Sequence, residues 1–143
     1  MDQPDKPASP GVLLIAEDDP DDQVLIRAAI RSCSTGAVVR FVDNGEDLIH
    51  YLRHDGEDRQ QPRLILLDLN MPRKDGRQAL REIKADPNLA HIPIVVLTTS
   101  NLPEDRYYCL ELGAHDYYDK PNPMTELESV LCQLLGEYMG PRG

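Results

Sequence analysis

Apolar residues along this 143-residue chain fall into two patterns that alternate. Short unbroken runs at 12–16 (VLLIA), 38–42 (VVRFV), 64–67 (LILL) and 94–97 (IVVL), with a weaker run at 116–119 (DYYD), have the length and side-chain type of buried strands. Between them apolar positions recur every three or four residues, which predicts helices over 20–33, 45–54, 76–85, 103–112 and 123–138. The last is the clearest: Met124, Leu127, Val130, Leu131, Leu134, Leu135 and Tyr138 form one broad stripe. Residues 1–10 are polar and Pro-rich and are expected to be a disordered tail, because they have little to bury against the entropy of ordering. Residues 54–62 read as a polar surface loop, 11–139 as a single domain, and 140–143 as a short tail with no output domain behind it.

Strand and helix in turn, five times over, imply a parallel sheet covered by helices on both faces. Right-handed crossovers leave few ways to connect it, and the expected one is the flavodoxin-like α/β (βα)5 doubly wound sheet with strand order 2-1-3-4-5. In such sheets ligands sit beyond the carboxyl ends of the strands, so the residues just past each run carry the chemistry. They are Glu17-Asp18, Asp68, Thr98-Thr99-Ser100 and Lys120-Pro121. In the expected order these ends are neighbours, and carboxylates, a hydroxyl and an ammonium converge on one rim.

That set is restrictive. Close carboxylates repel unless a cation neutralises them, and oxygen ligands of this kind suit Mg²⁺. Beside the ion, Asp68 stays ionised and can attack phosphorus, with Lys120 and Thr98 balancing charge on the phosphoryl oxygens. Simpler roles compete. In the run Glu17 to Asp22, Asp19 suits a helix N-cap, Pro20 the first helical position, and Asp21 and Asp22 the helix dipole, which leaves Glu17 and Asp18 without a capping role. Asp68 alone would read as a turn residue. Strand register decides which of Thr98, Thr99 and Ser100 points inward, and Tyr117 has a rival in Tyr118. His50 and His54 are four apart on a predicted helix but have no third ligand.

With Glu17-Asp18, Asp68 in LLDLNMP, Asp75-Gly76, Thr98 in PIVVLTTS and Lys120-Pro121 in order, the chain resembles a receiver domain of two-component response regulators over residues 11–138. The resemblance implies that Asp68 accepts phosphate from a partner histidine kinase. It implies Mg²⁺ held by Asp18, Asp68 and the backbone carbonyl of Asn70, with Glu17 acting through a bound water. It implies that Lys120 pairs with the phosphoryl group and that Thr98 and Tyr117 form a coupled switch. Pro121 is expected to follow a cis peptide, which X-Pro bonds tolerate at small cost. Glu17 departs from the pattern, standing where many receivers have Asp. The segment Arg73-Lys74-Asp75-Gly76 after Pro72, the loop before the third strand and LTTS resemble small stand-alone receivers paired with phytochrome-type kinases. A homodimer through the fourth and fifth elements is a further expectation of the family, as is a phosphoacceptor that assists its own phosphorylation and dephosphorylation without being an enzyme.

Composition narrows the alternatives. A net charge of -10 disfavours nucleic acid as a partner, and no apolar run approaches the length of a membrane span. The polar N-terminus lacks the core of a signal peptide, so the cytoplasm is the expected location. Cys33, Cys109 and Cys132 are scattered and odd in number, and three small buried or half-buried thiols are expected. The rival reading is a haloacid-dehalogenase-like phosphatase with Asp68 as nucleophile. It needs a second Asp two residues on as general acid/base, and that position is Asn70, which cannot shuttle a proton.

Overall fold

A computed structural model describes residues 11–33, 35–55 and 61–139. The tails at 1–10 and 140–143 and most of the loop at 54–62 lie outside those residues. Five parallel strands, β1 (Val12–Ala16), β2 (Val38–Val42), β3 (Leu64–Leu67), β4 (Ile94–Thr98) and β5 (Asp116–Asp119), pair in the order β2-β1-β3-β4-β5. Register sets Ala16 against Leu67 and Thr98 against Asp119, so the carboxyl ends of the central strands finish at one level.

Alternation along each strand divides the core in two. Leu14, Ala16, Ile65, Leu67, Ile94 and Val96 face α2 (Gly45–His50), α3 (Gly76–Ala85) and α4 (Pro103–Leu112), whereas Leu13, Ile15, Leu64, Leu66, Val95 and Leu97 face α1 (Pro20–Arg31) and α5 (Leu127–Tyr138). Strand β3 is buried along its whole length, as a central parallel strand with helices on both faces must be. The same alternation separates the two tyrosines of β5: Tyr117 packs among the α3–α4 side chains and Tyr118 against the α1–α5 side.

Helix boundaries follow local chemistry. Asp19 accepts from the amides of Asp21 and Asp22 with Pro20 in the first turn of α1, and Asp75 forms a capping box with Gln78 at the start of α3. Helix α4 ends where Gly113 turns left-handed at φ 115°. Three helices are shorter than expected. Helix α1 stops at Arg31, and α2 passes after His50 into a wider π turn over Tyr51–Asp55. A 3-10 turn at Met124–Glu126 precedes α5.

Two sequence expectations are corrected. The cis peptide precedes Pro123, not Pro121; both bonds are X-Pro and both tolerate cis, so composition cannot choose between them. Cys33 and Cys132 form a disulfide with their Cα atoms 5.3 Å apart, joining the chain just past α1 to α5. The pairing spans 99 residues and exists because α1 and α5 share one face of the sheet. Cys109 is the buried thiol expected, and burial pushes its pKa up to about 11.

The loop after β3 is seated by a close backbone approach. The Gly76 amide donates to the Leu69 carbonyl at 3.0 Å, and a Cβ at Gly76 would lie 2.3 Å from the Asp68 carbonyl oxygen. Only glycine lets the start of α3 lie against the Asp68–Leu69 backbone. Gly76→Ala is therefore expected to lower unfolding free energy by about 1–3 kcal/mol, the usual cost of overpacking, measured by chemical denaturation.

Candidate functional site

The rim predicted from the strand ends exists as one cleft. Four of the five strands deliver a polar residue at the step where the ladder stops: Glu17 and Asp18 after β1, Asp68 after β3, Thr98 as the last residue of β4, and Lys120 directly after β5. Ladder hydrogen bonds carry on past the strands and fix these positions, Asp68 N to Ala16 O at 3.1 Å and Lys120 N to Thr98 O at 2.8 Å.

Asp68 is 5% exposed, and both its oxygens are engaged. Oδ1 accepts from the Thr98 hydroxyl at 2.8 Å and from the Asn70 amide at 3.1 Å; Oδ2 faces the Lys120 ammonium at 3.1 Å. Thr98 is fully buried while Thr99 is exposed, which settles which hydroxyl turns inward. Tyr117 is 4% exposed, and its hydroxyl donates to the Ser100 carbonyl at 3.2 Å.

The Lys120 ammonium also touches Glu17 Oε1 at 2.7 Å and Asp22 Oδ2 at 2.6 Å. Burial opposes its charge, but the bonds to Asp22 and Glu17 and the charge of Asp68 outweigh that, and its pKa lies above the ordinary value. Glu17 is 2% exposed, and burial, with the charge of Asp68 beside it, pushes its pKa up to about 7. One ammonium thus faces three carboxylates, with Asp18 close by.

Glu17, Asp18 and Asp68 each place one carboxylate oxygen within 4.8 Å of the others. Three hard oxygen donors, one of them resisting ionisation at neutral pH, fit a divalent cation that would relieve their repulsion. Both Glu17 oxygens already have partners, Lys120 on Oε1 and the Asp19 amide on Oε2 at 3.1 Å. Both Asp68 oxygens are engaged as well, which leaves Asp18 as the freer donor.

Two features were missed from the sequence. Asp22 caps nothing and pairs with Lys120, 98 residues away; locally it reads only as a first-turn acid suited to the helix dipole. Asp105 is buried in the first turn of α4, accepts from Arg77 Nε at 2.8 Å and Nη2 at 2.6 Å, and receives the Ser100 hydroxyl. The Arg77 guanidinium holds the Asp105 carboxyl down at about 2. The side chain of His54 lies outside the described residues, and with it the 50/54 histidine pair.

Comparison with known proteins agrees with this geometry. The family model described as the response regulator receiver domain matches residues 13–131. Response regulator Rcp1 of Synechocystis sp. is 37% identical over 125 residues, covering 86% of this chain and 85% of that protein. The crystal structure of the phosphorylated cyanobacterial phytochrome response regulator RcpA superposes with a TM-score of 0.85 at 35% identity, covering 92% of this chain and 95% of that one. The Mn(2+)-bound form of Rcp1 superposes with a TM-score of 0.83 at 32% identity, covering 90% and 94%.

The position of Glu17 sets a pH dependence. Its folded pKa of about 7 lies above the ordinary value of 4.5, so its contribution to stability is full below pH 4.5 and is lost as pH rises through 7. In metal-free protein the melting temperature of the wild type is expected to fall relative to Glu17→Gln between pH 5 and pH 8, with Mg²⁺ narrowing the gap.

Proposed function

Since the chain belongs to the response regulator receiver domain family, we propose that Asp68 is its phosphoacceptor and takes a phosphoryl group from a histidine kinase in a Mg²⁺-dependent reaction. The observation that carries this is the pairing of the two Asp68 oxygens, one with the Thr98 hydroxyl and one with the Lys120 ammonium, beside an acidic pair. A buried carboxylate between a donor and an ammonium, at the mouth of an open sheet end, is placed to attack and then to have its charge followed.

In the transfer, an Asp68 oxygen forms a bond to phosphorus as the bond from phosphorus to the donor's imidazole nitrogen breaks. Negative charge leaves the carboxylate for the phosphoryl oxygens. Lys120 and Thr98, already on the Asp68 oxygens, are at hand to meet that charge. Asp18, Asp68 and the Asn70 carbonyl would hold the ion, with Glu17 reaching it through water. When bound, Mg²⁺ supplies positive charge to the phosphoryl oxygens and lowers the repulsion an incoming phosphate meets.

The consequence is a change of surface. Added phosphate charge draws on Thr98, and Tyr117 and α4 lie next along the hydrogen-bond path. Similarity to Rcp1 and RcpA favours a phytochrome-type histidine kinase as partner. Leu102, Tyr107 and Leu110 are exposed on and beside α4, which favours homodimerisation there. The receiver domain is taken to span 11–139, and a cytoplasmic location follows from an ATP-dependent kinase as phosphate source. The phosphatase reading has no support at Asn70.

Incubation with Mg²⁺ and a small phosphodonor such as acetyl phosphate is expected to add one acid-labile phosphate, seen by intact mass. The adduct should vanish in Asp68→Asn and persist in Asp19→Asn. Steady phosphate release with no labelled protein would point to the phosphatase instead.

A further inference from the structure

The hydrogen bonds at Asp68 continue well past the acidic cleft. Thr98 Oγ, which donates to Asp68, accepts the Ser100 amide at 3.3 Å. Ser100 is then held twice more: its carbonyl accepts the Tyr117 hydroxyl, and its own hydroxyl donates to Asp105. Asp105 in turn is gripped by both arms of Arg77 on α3. Arg77 Nη1 also reaches Asp75 Oδ2 at 3.4 Å, and Asp75 caps the helix whose first amide, Gly76, returns to the Leu69 carbonyl. The path closes on itself. The loop after β3 and the loop after β4 are tied at the near end by Asp68–Thr98 and at the far end by Arg77–Asp105.

We propose that Asp105 and Arg77 are positioning residues for phosphoryl transfer: by fastening Ser100 they keep the Thr98 hydroxyl turned onto Asp68. This rests on the reading of Asp68 as phosphoacceptor. The chemistry favours it over a plain surface ion pair. Asp105 is 8% exposed, among few buried polar groups, and its bidentate contact is the planar fork that fixes a carboxylate in direction as well as place. In the first turn of α4, where a carboxylate already suits the helix dipole, Asp105 directs its oxygens to another helix and to the switch loop. Loosening either end lets residues 98–102 move away from the cleft as one piece, taking the Thr98 hydroxyl with them.

The test compares wild type with Ser100→Ala, Asp105→Asn, Arg77→Gln and the last two combined. Three quantities are read: the Thr98 methyl resonance in metal-free protein, affinity for beryllofluoride with Mg²⁺, and melting temperature. Ser100→Ala breaks only the tie to the loop and is expected to keep the wild-type melting temperature. It and Asp105→Asn are expected to shift or broaden the Thr98 methyl signal and to weaken beryllofluoride about tenfold, the scale of one charge-assisted hydrogen bond. The combined variant is expected to be no weaker than Asp105→Asn alone, as for residues acting through one path. The proposal is overturned if Ser100→Ala and Asp105→Asn leave the methyl signal in place and affinity within about twofold, with only the melting temperature lowered. Should the wild type take up no beryllofluoride, the phosphoacceptor reading falls, and the methyl comparison in unliganded protein still decides the positioning role.

Discussion

The Lys120 ammonium, 5% exposed, lies within 3.1 Å of carboxylate oxygens from Glu17, Asp22 and Asp68, and the site is organised around that one cation. The buried carboxylates of Glu17 and Asp68 and the half-buried one of Asp22 do not gather without compensation; an unpaired buried ion costs on the order of several kcal/mol in desolvation. Lys120 offsets part of this and leaves an excess of negative charge, since Asp18 stands close by with no ammonium of its own among the described residues. Burial raises the pKa of Glu17, and the charge of Asp68 beside it adds to the effect. A receiver that must take a divalent cation and then a dianionic group gains from such a balance. The cleft is held together strongly enough to fold, yet the charge is left incomplete.

Backbone geometry makes the arrangement possible. Lys120 is fixed by a ladder bond to Thr98, and Asp68 by one to Ala16, so the ammonium and the carboxylate are placed by the sheet rather than by flexible loops. Gly76 lets α3 start directly against Asp68, and the capped start of α3 connects through Arg77 to α4. Stability and response share these contacts. The same hydrogen bonds that seat Thr98 run on to Ser100, Tyr117 and α4, beside the exposed Leu102, Tyr107 and Leu110.

Most of this was readable from residue order, for a physical reason. Buried parallel strands announce themselves as apolar runs, and the polar residues after each run are fixed at the rim by the end of the ladder; hence Glu17, Asp68, Lys120 and the hydroxyl run from Thr98 to Ser100 were placed there. What depended on packing between distant segments was not readable. Asp22 has the same local chemistry whether it serves the dipole or Lys120. Cys33 and Cys132 meet only because two helices share a face. Arg77 and Asp105 pair across two helices with no sequence signal linking them. The choice between Thr98 and Thr99, or Tyr117 and Tyr118, waited on strand register, which composition leaves open.

Titration with Mn²⁺ followed by amide line broadening tests the central claim most directly, because a paramagnetic ion marks its own position. The account predicts saturable broadening that begins at Asp18, Asp68 and Asn70, reaches Lys120, and is reversed by excess Mg²⁺. Broadening that spreads without saturation over Asp21, Asp47 and Asp116, sparing Asp68, would contradict it.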